Sequence, residues 1–194
     1  EKTEMGAELI NDDSPEADAE GIIMMIDCFL AAGLTDFRID IGQAEFYKGI
    51  MDALEASEEV KEQIHEYIEN KNALGMEILL SDLSMKDCYR NILLEYNDLY
   101  GDVTMLEKAK KLTINPRCQA AIARLEEVYE VLKLYGYEKY VSFDLGMLSK
   151  IQYYTGIIFQ AYTYGIGEPV VKGGRYNELL KHFGKPAASI GFVI

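Results

Sequence analysis

The chain has 194 residues, 49% hydrophobic and 27% charged, which suits one soluble domain with a packed core and room for an inserted subdomain. A formal net charge of −14 argues against a broad phosphate-tracking surface, because binding a polyanion needs clustered Lys and Arg, and leaves room only for a local basic patch. No run of roughly 18 apolar residues exists to span a membrane as a helix, no charged-then-apolar leader is visible, and the Glu at position 1 and the strand-like ending at Ile194 read as an excerpt cut at both ends.

In chain order, residues 1–10 (EKTEMGAELI) predict a short strand with Gly6 at a bulge or close approach. Ser14 and Pro15 suit the N-cap and first position of a helix, and Glu16 and Asp18 complement its dipole. That helix is predicted to reach about Ala32, with Gly33 as its terminator and Ile22, Met25, Ile26 and Phe29 as its apolar stripe. Phe37 to Ile41 alternates as a strand ended by Gly42. A second helix over 43–55 turns Phe46, Ile50 and Leu54 inward.

From Ser57 to about Tyr135 the pattern is helical throughout. Ser57 caps a helix whose face carries Val60, Ile64, Tyr67 and Ile68, and Ser84 with Asp87 reads as a capping box ahead of a periodic stretch to Leu99. Met105 to Leu112 is a shorter helix. Asn115-Pro116 opens a long one with Ile122, Leu125, Val128 and Leu132 inward, ending near Gly136.

Residues 141–194 then give three alternating apolar segments separated by glycines, as hairpin strands do. One is expected to include Tyr153, so that Tyr153, Thr155, Ile157 and Phe159 share a face and Tyr154, Gly156, Ile158 and Gln160 share the other. Gly156 reads as a close approach, and Gly173-Gly174 as a turn with Arg175 at its exit. The order of elements predicts an α+β fold, an antiparallel sheet backed by helices with a helical insertion. The expected division is core at 1–55, insertion at 56–137 and core again at 138–194.

Cys28, Cys88 and Cys118 are far apart and form neither CxxC nor a Cys/His cluster, so no zinc site is expected. Cys28 and Cys88 fall on apolar helical positions and read as buried thiols in a reducing compartment. His65 and His182 have no nucleophile motif beside them and read as surface or packing residues. No catalytic residue, metal or cofactor is expected.

The literal string carries more than its periodicity. YYTGIIF from Tyr153, GGRYNELLKHFG from Gly173 and ASIGFVI from Ala188 resemble, in order and spacing, the histidine-binding end of the histidyl-tRNA synthetase catalytic domain. Glu4-Met5-Gly6-Ala7-Glu8 stands where that family carries Gln-x-Gly-x-Glu; Glu8 matches and Glu4 replaces the Gln. Just before the paired tyrosines the synthetases carry Arg-Gly-Leu-Asp, whose Arg holds oxyanions as histidine is activated. Here the string is Ser149-Lys150-Ile151-Gln152, without that Arg and Asp, and Lys150 lacks the bidentate geometry.

Retained binding pieces without the activating group resemble the non-catalytic relative, the regulatory subunit of ATP phosphoribosyltransferase; an active synthetase core is the alternative. The resemblance implies a class II aminoacyl-tRNA synthetase-like fold. It implies a cytoplasmic regulator, a homodimer within a hetero-oligomer, that works with the catalytic ATP phosphoribosyltransferase subunit in the first step of histidine biosynthesis and its feedback control. Neither nucleic acid nor membrane is an expected partner. It also implies a groove for a histidine-like ligand between the first strand and the tyrosine segment, formed by Glu4, Glu8, Tyr153 and Tyr154 and bordered by Arg175 and Tyr176.

Overall fold

Alternating strands supply one twisted sheet, and the longer amphipathic helices cover only one of its faces. The computed structural model describes residues 3–148 and 153–194. Its elements are β1 (Gly6–Ile10), α1 (Pro15–Ala31), β2 (Phe37–Gln43), α2 (Ala44–Ala53), α3 (Glu58–Glu69), α4 (Ala73–Ser81), α5 (Asp87–Leu94), β3 (Tyr100–Gly101), α6 (Thr104–Leu112), α7 (Pro116–Leu134), β4 (Val141–Asp144), β5 (Ile157–Thr163), β6 (Val171–Arg175) and β7 (Ser189–Val193). The sheet order is β1-β7-β6-β5-β2-β4-β3. Every pairing is antiparallel except β2 with β4.

The helix boundaries follow from capping chemistry. Ser14 Oγ accepts from the Ala17 amide at 3.1 Å with Pro15 at the first position, and Gly33 leaves α1 at φ 82°, a conformation open to glycine. Ser57 caps α3, and the Asn115 side chain accepts from the amides of Arg117 and Cys118 to open α7. The predicted stripes are buried: Ile22, Met25, Ile26 and Phe29 on α1, and Ile122, Leu125, Val128 and Leu132 on α7. The last helix of the expected insertion, α7, packs against α1 and α2.

Strand register sorts the sheet into two faces. One row, Ala7, Phe192, Gly173, Phe159, Ile41 and Phe143, crosses six strands on the helix-covered side. There α1 crosses closely enough that a Cβ added at Gly21 would stand 3.7 Å from the Ile190 side chain. The next row, Glu8, Gly191, Gly174, Ile158 and Gly42, crosses five strands on the opposite side.

Several local expectations are corrected. Four strands, not three, fall within 141–194, and β3 interrupts the block expected to be wholly helical. Tyr153–Gly156 precedes β5 and is not strand. It bends because its main chain is engaged elsewhere: the Thr155 amide donates to the Arg175 carbonyl at 2.8 Å, and the Gly156 carbonyl accepts from the first amide of α2, Ala44, at 2.9 Å. Gly173-Gly174 lies inside β6 and makes no turn, and Gly42 lies inside β2. Glycine is needed at 173 and 174 for two close approaches on opposite faces, where added Cβ atoms would meet the Phe159 and Tyr154 rings.

Ser84 and Asp87 form no capping box. Lys86 is the N-cap of α5 without a side-chain bond, and Arg90 closes the α4–α5 turn instead by donating to the Leu80 and Leu83 carbonyls. The buried thiol is Cys118, which donates to the Phe46 carbonyl at 3.3 Å, whereas Cys28 and Cys88 are half-buried.

Candidate ligand groove on the open sheet face

The second row defines a floor. Gly191 and Gly174 sit side by side on β7 and β6 with no side chains, and the space above them is taken from two directions. From β1, Glu8 places its carboxylate over Gly191, where an added Cβ would collide with it and lie 2.6 Å from the Ala7 carbonyl oxygen. From the segment before β5, the Tyr154 ring lies over Gly174, where an added Cβ would come within 2.6 Å of a ring carbon. The glycine row is therefore what lets a carboxylate and a phenol face one another across two strands.

Around Tyr154 the aromatic side chains cluster. Tyr153 lies 5.0 Å from it, centroid to centroid, and meets Tyr176 edge-on at 5.9 Å. Burial pushes the Tyr154 hydroxyl well above the ordinary phenol range, and the Tyr153 and Glu8 groups push the same way, so it stays a neutral donor and acceptor. Burial also raises the Glu8 carboxyl. Glu8 has no ion-pair or hydrogen-bond partner among the described residues, which leaves its oxygens available to an ammonium or an imidazole N–H.

The structure brings together four of the six residues singled out from sequence: Glu8, Tyr153, Tyr154 and Tyr176. Glu4 lies in the exposed segment ahead of β1 and has no side-chain partner among the described residues. Arg175 is corrected. It points to the helix-covered side and is 2% exposed. Its Nε donates to Asp18 Oδ1 at 2.7 Å, and its Nη1 donates to the Asp12 carbonyl at 2.9 Å and to Asn177 Oδ1 at 3.1 Å. Arg124 Nε donates to the other Asp18 oxygen at 2.6 Å. Burial pushes the Asp18 carboxyl up, and the two guanidiniums pull it down.

The same knot holds the tyrosine segment. The Arg175 carbonyl takes the Thr155 amide, Thr155 Oγ1 accepts from the Asn177 amide at 2.9 Å, and the Arg175 side chain packs 3.1 Å from where a Gly156 Cβ would stand. Arg175 thus positions the groove from behind and does not line it. Sequence pairing of Arg175 with the distant Asp18 had no local signal, since the two meet only through the α1–β6 crossing. The expectation about Ser149, Lys150 and Gln152 falls outside the described residues.

A mixed sheet of this order, helices behind and a glycine floor in front, defines a class II aminoacyl-tRNA synthetase-like catalytic domain. The crystal structure of an ATP phosphoribosyltransferase regulatory subunit/histidyl-tRNA synthetase from Bacillus halodurans superposes with a TM-score of 0.90 at 32% identity, over 98% of this chain and 50% of that one. A family model described as histidyl-tRNA synthetase matches residues 1–194, and the chain belongs to that family. Among its relatives is a protein of Acetivibrio thermocellus named ATP phosphoribosyltransferase regulatory subunit, 41% identical over 99% of this chain and 46% of its own length. A relative of the same name from Thermoanaerobacter pseudethanolicus is 39% identical over 100% of this chain and 51% of its own. The chain spans about half the length of the curated relatives it matches.

Proposed function

We propose that this chain is the ligand-binding core of an ATP phosphoribosyltransferase regulatory subunit, acting with a separate catalytic subunit in the first step of histidine biosynthesis. The observation that carries the reading is the full-span similarity to relatives bearing that name. The sequence adds Ser149 and Gln152 where synthetases carry the Arg and Asp used to activate histidine. The function is regulatory: the protein assembles the enzyme and transmits feedback inhibition by histidine, and it does not itself ligate histidine to tRNA.

The groove supports a histidine-like ligand. Glu8 accepts from an imidazole N–H or the α-ammonium, Tyr154 supplies a neutral hydroxyl, and Tyr153 and Tyr176 form an aromatic wall. Feedback then requires histidine to favour the inhibited assembly over the active one. The test is inhibition of the reconstituted full-length enzyme by histidine, with Glu8→Ala and Tyr154→Phe. The expected result is a weakening of about tenfold or more for either variant, a coupling loss of about 1.4 kcal/mol. Unchanged inhibition in both would remove the groove as the regulatory site. Histidine-dependent ATP–pyrophosphate exchange by the full-length protein alone would overturn the non-catalytic assignment.

A further inference from the structure

Behind Tyr154, away from Glu8, a cavity of about 780 Å³ opens between α2, α3 and the sheet, a size typical of small-molecule sites. Two helical stripes face each other across it. On α2 these are Ala44, Tyr47, Lys48, Met51 and Asp52, and on α3 they are Glu58, Lys61, Glu62 and His65. Both follow the spacing that keeps residues on one helix side. The α3 stripe is therefore distinct from the buried Ile64 and Ile68 of the same helix, which belong to the core.

We propose that this cavity is a second small-molecule site, and that it takes an amino-acid zwitterion with an aromatic or aliphatic side chain. The apolar part of such a ligand has matching walls in Met51, Met147, Leu148 and Ile158, with the Tyr47 and Tyr154 rings beside them.

The polar part is matched in both signs. Tyr47 OH lies 3.1 Å from His65 Nδ1. Burial pushes the Tyr47 phenol up to about 12, so the hydroxyl keeps its proton, and its contact with Nδ1 engages that ring nitrogen. The other ring nitrogen, Nε2, has no partner among the described residues. Lys61, 3.3 Å from Glu58, has further ammonium protons free, and together with a proton donated from His65 Nε2 it suits a carboxylate. One turn along, Glu62 has no partner among the described residues and suits an ammonium. Lys48 ties the cavity to the groove, because its ammonium donates to the Tyr154 carbonyl at 2.8 Å.

The site does not depend on the regulatory reading and is tested apart from it. Calorimetry on the full-length protein would compare L-phenylalanine with phenethylamine, which lacks the carboxylate, and with 3-phenylpropanoate, which lacks the ammonium. Circular dichroism would confirm that each variant is folded. The zwitterion is expected to bind, and both analogues to bind at least about tenfold more weakly. His65→Ala and Glu62→Gln are each expected to weaken the zwitterion by about tenfold, and Glu8→Ala to leave it unchanged. No binding of L-phenylalanine, equal binding of all three probes, or loss on Glu8→Ala with no effect of His65→Ala and Glu62→Gln would each overturn the proposal. The last result would place the ligand in the groove.

Discussion

Two glycines do the work that a side chain cannot. At Gly191 any Cβ would strike the Glu8 carboxylate and crowd the Ala7 carbonyl, and at Gly174 it would strike the Tyr154 ring and lie 2.8 Å from the Ile157 carbonyl oxygen. Because main-chain atoms are among the obstacles, rotating a side chain cannot relieve the clash. Gly191→Ala and Gly174→Ala are therefore each expected to cost about 1–3 kcal/mol in urea unfolding and to weaken histidine binding. Wild-type stability and affinity in both variants would show that the floor is not needed.

Glu8 itself gives a pH signature. Burial raises its carboxyl in the folded chain, so the folded state holds that proton more tightly than the unfolded state. Its ionisation accordingly costs stability. The cost is absent below the unfolded value, grows as pH rises to the folded value and is complete above it. Glu8→Gln removes the cost, so the variant's urea midpoint is expected to gain on wild type as pH rises through and above the ordinary carboxylate range. A difference that stays flat with pH would contradict this.

At the scale of elements, the crossing of α1 over β6 is fixed by one carboxylate shared between two guanidiniums, Asp18 with Arg175 and Arg124. Removing one partner of a buried pair strands the other charges, so Asp18→Ala is expected to lose about 3–5 kcal/mol in chemical denaturation, more than a surface pair would. Arg175→Lys is expected to be destabilised too, because an ammonium cannot reproduce the planar fork that reaches Asp18, Asp12 and Asn177 together. An Asp18→Ala variant as stable as wild type would mean the knot holds nothing.

This level also shows what the sequence could and could not disclose. Caps at Ser14, Ser57 and Asn115 and the stripes of α1 and α7 are local and period-bound, so they were legible, and the resemblance to the synthetase pattern grouped Glu8 with Tyr154, which the fold brings together. Arg175 was misplaced because Gly173-Gly174 was read as a turn with Arg175 at its exit, whereas all three lie in β6 and Arg175 is buried on the helix-covered side; Tyr153–Gly156 was misread as strand because hydrogen bonds to β6 and α2, which link residues far apart, bend it. The double glycine looked like a turn because a close approach and a turn draw on the same residue for different reasons. His65 looked inert because its partner, Tyr47, stands on another helix; the two facing polar stripes at three- and four-residue spacing were the signal available.

At the scale of the whole molecule, α1 packs behind the sheet and the glycine floor lies on the opposite face. Among the described residues no helix is long and apolar enough to cross a membrane. The charge of −14 fits a protein partner better than a polyanionic one. The most direct test mixes the full-length protein with the catalytic ATP phosphoribosyltransferase subunit, follows the mixture by size-exclusion chromatography with light scattering, and assays phosphoribosyl transfer with and without histidine. One larger hetero-oligomer is expected, with activity that depends on both chains and falls when histidine is added. Two species eluting separately at working concentrations, with activity indifferent to this chain, would contradict it.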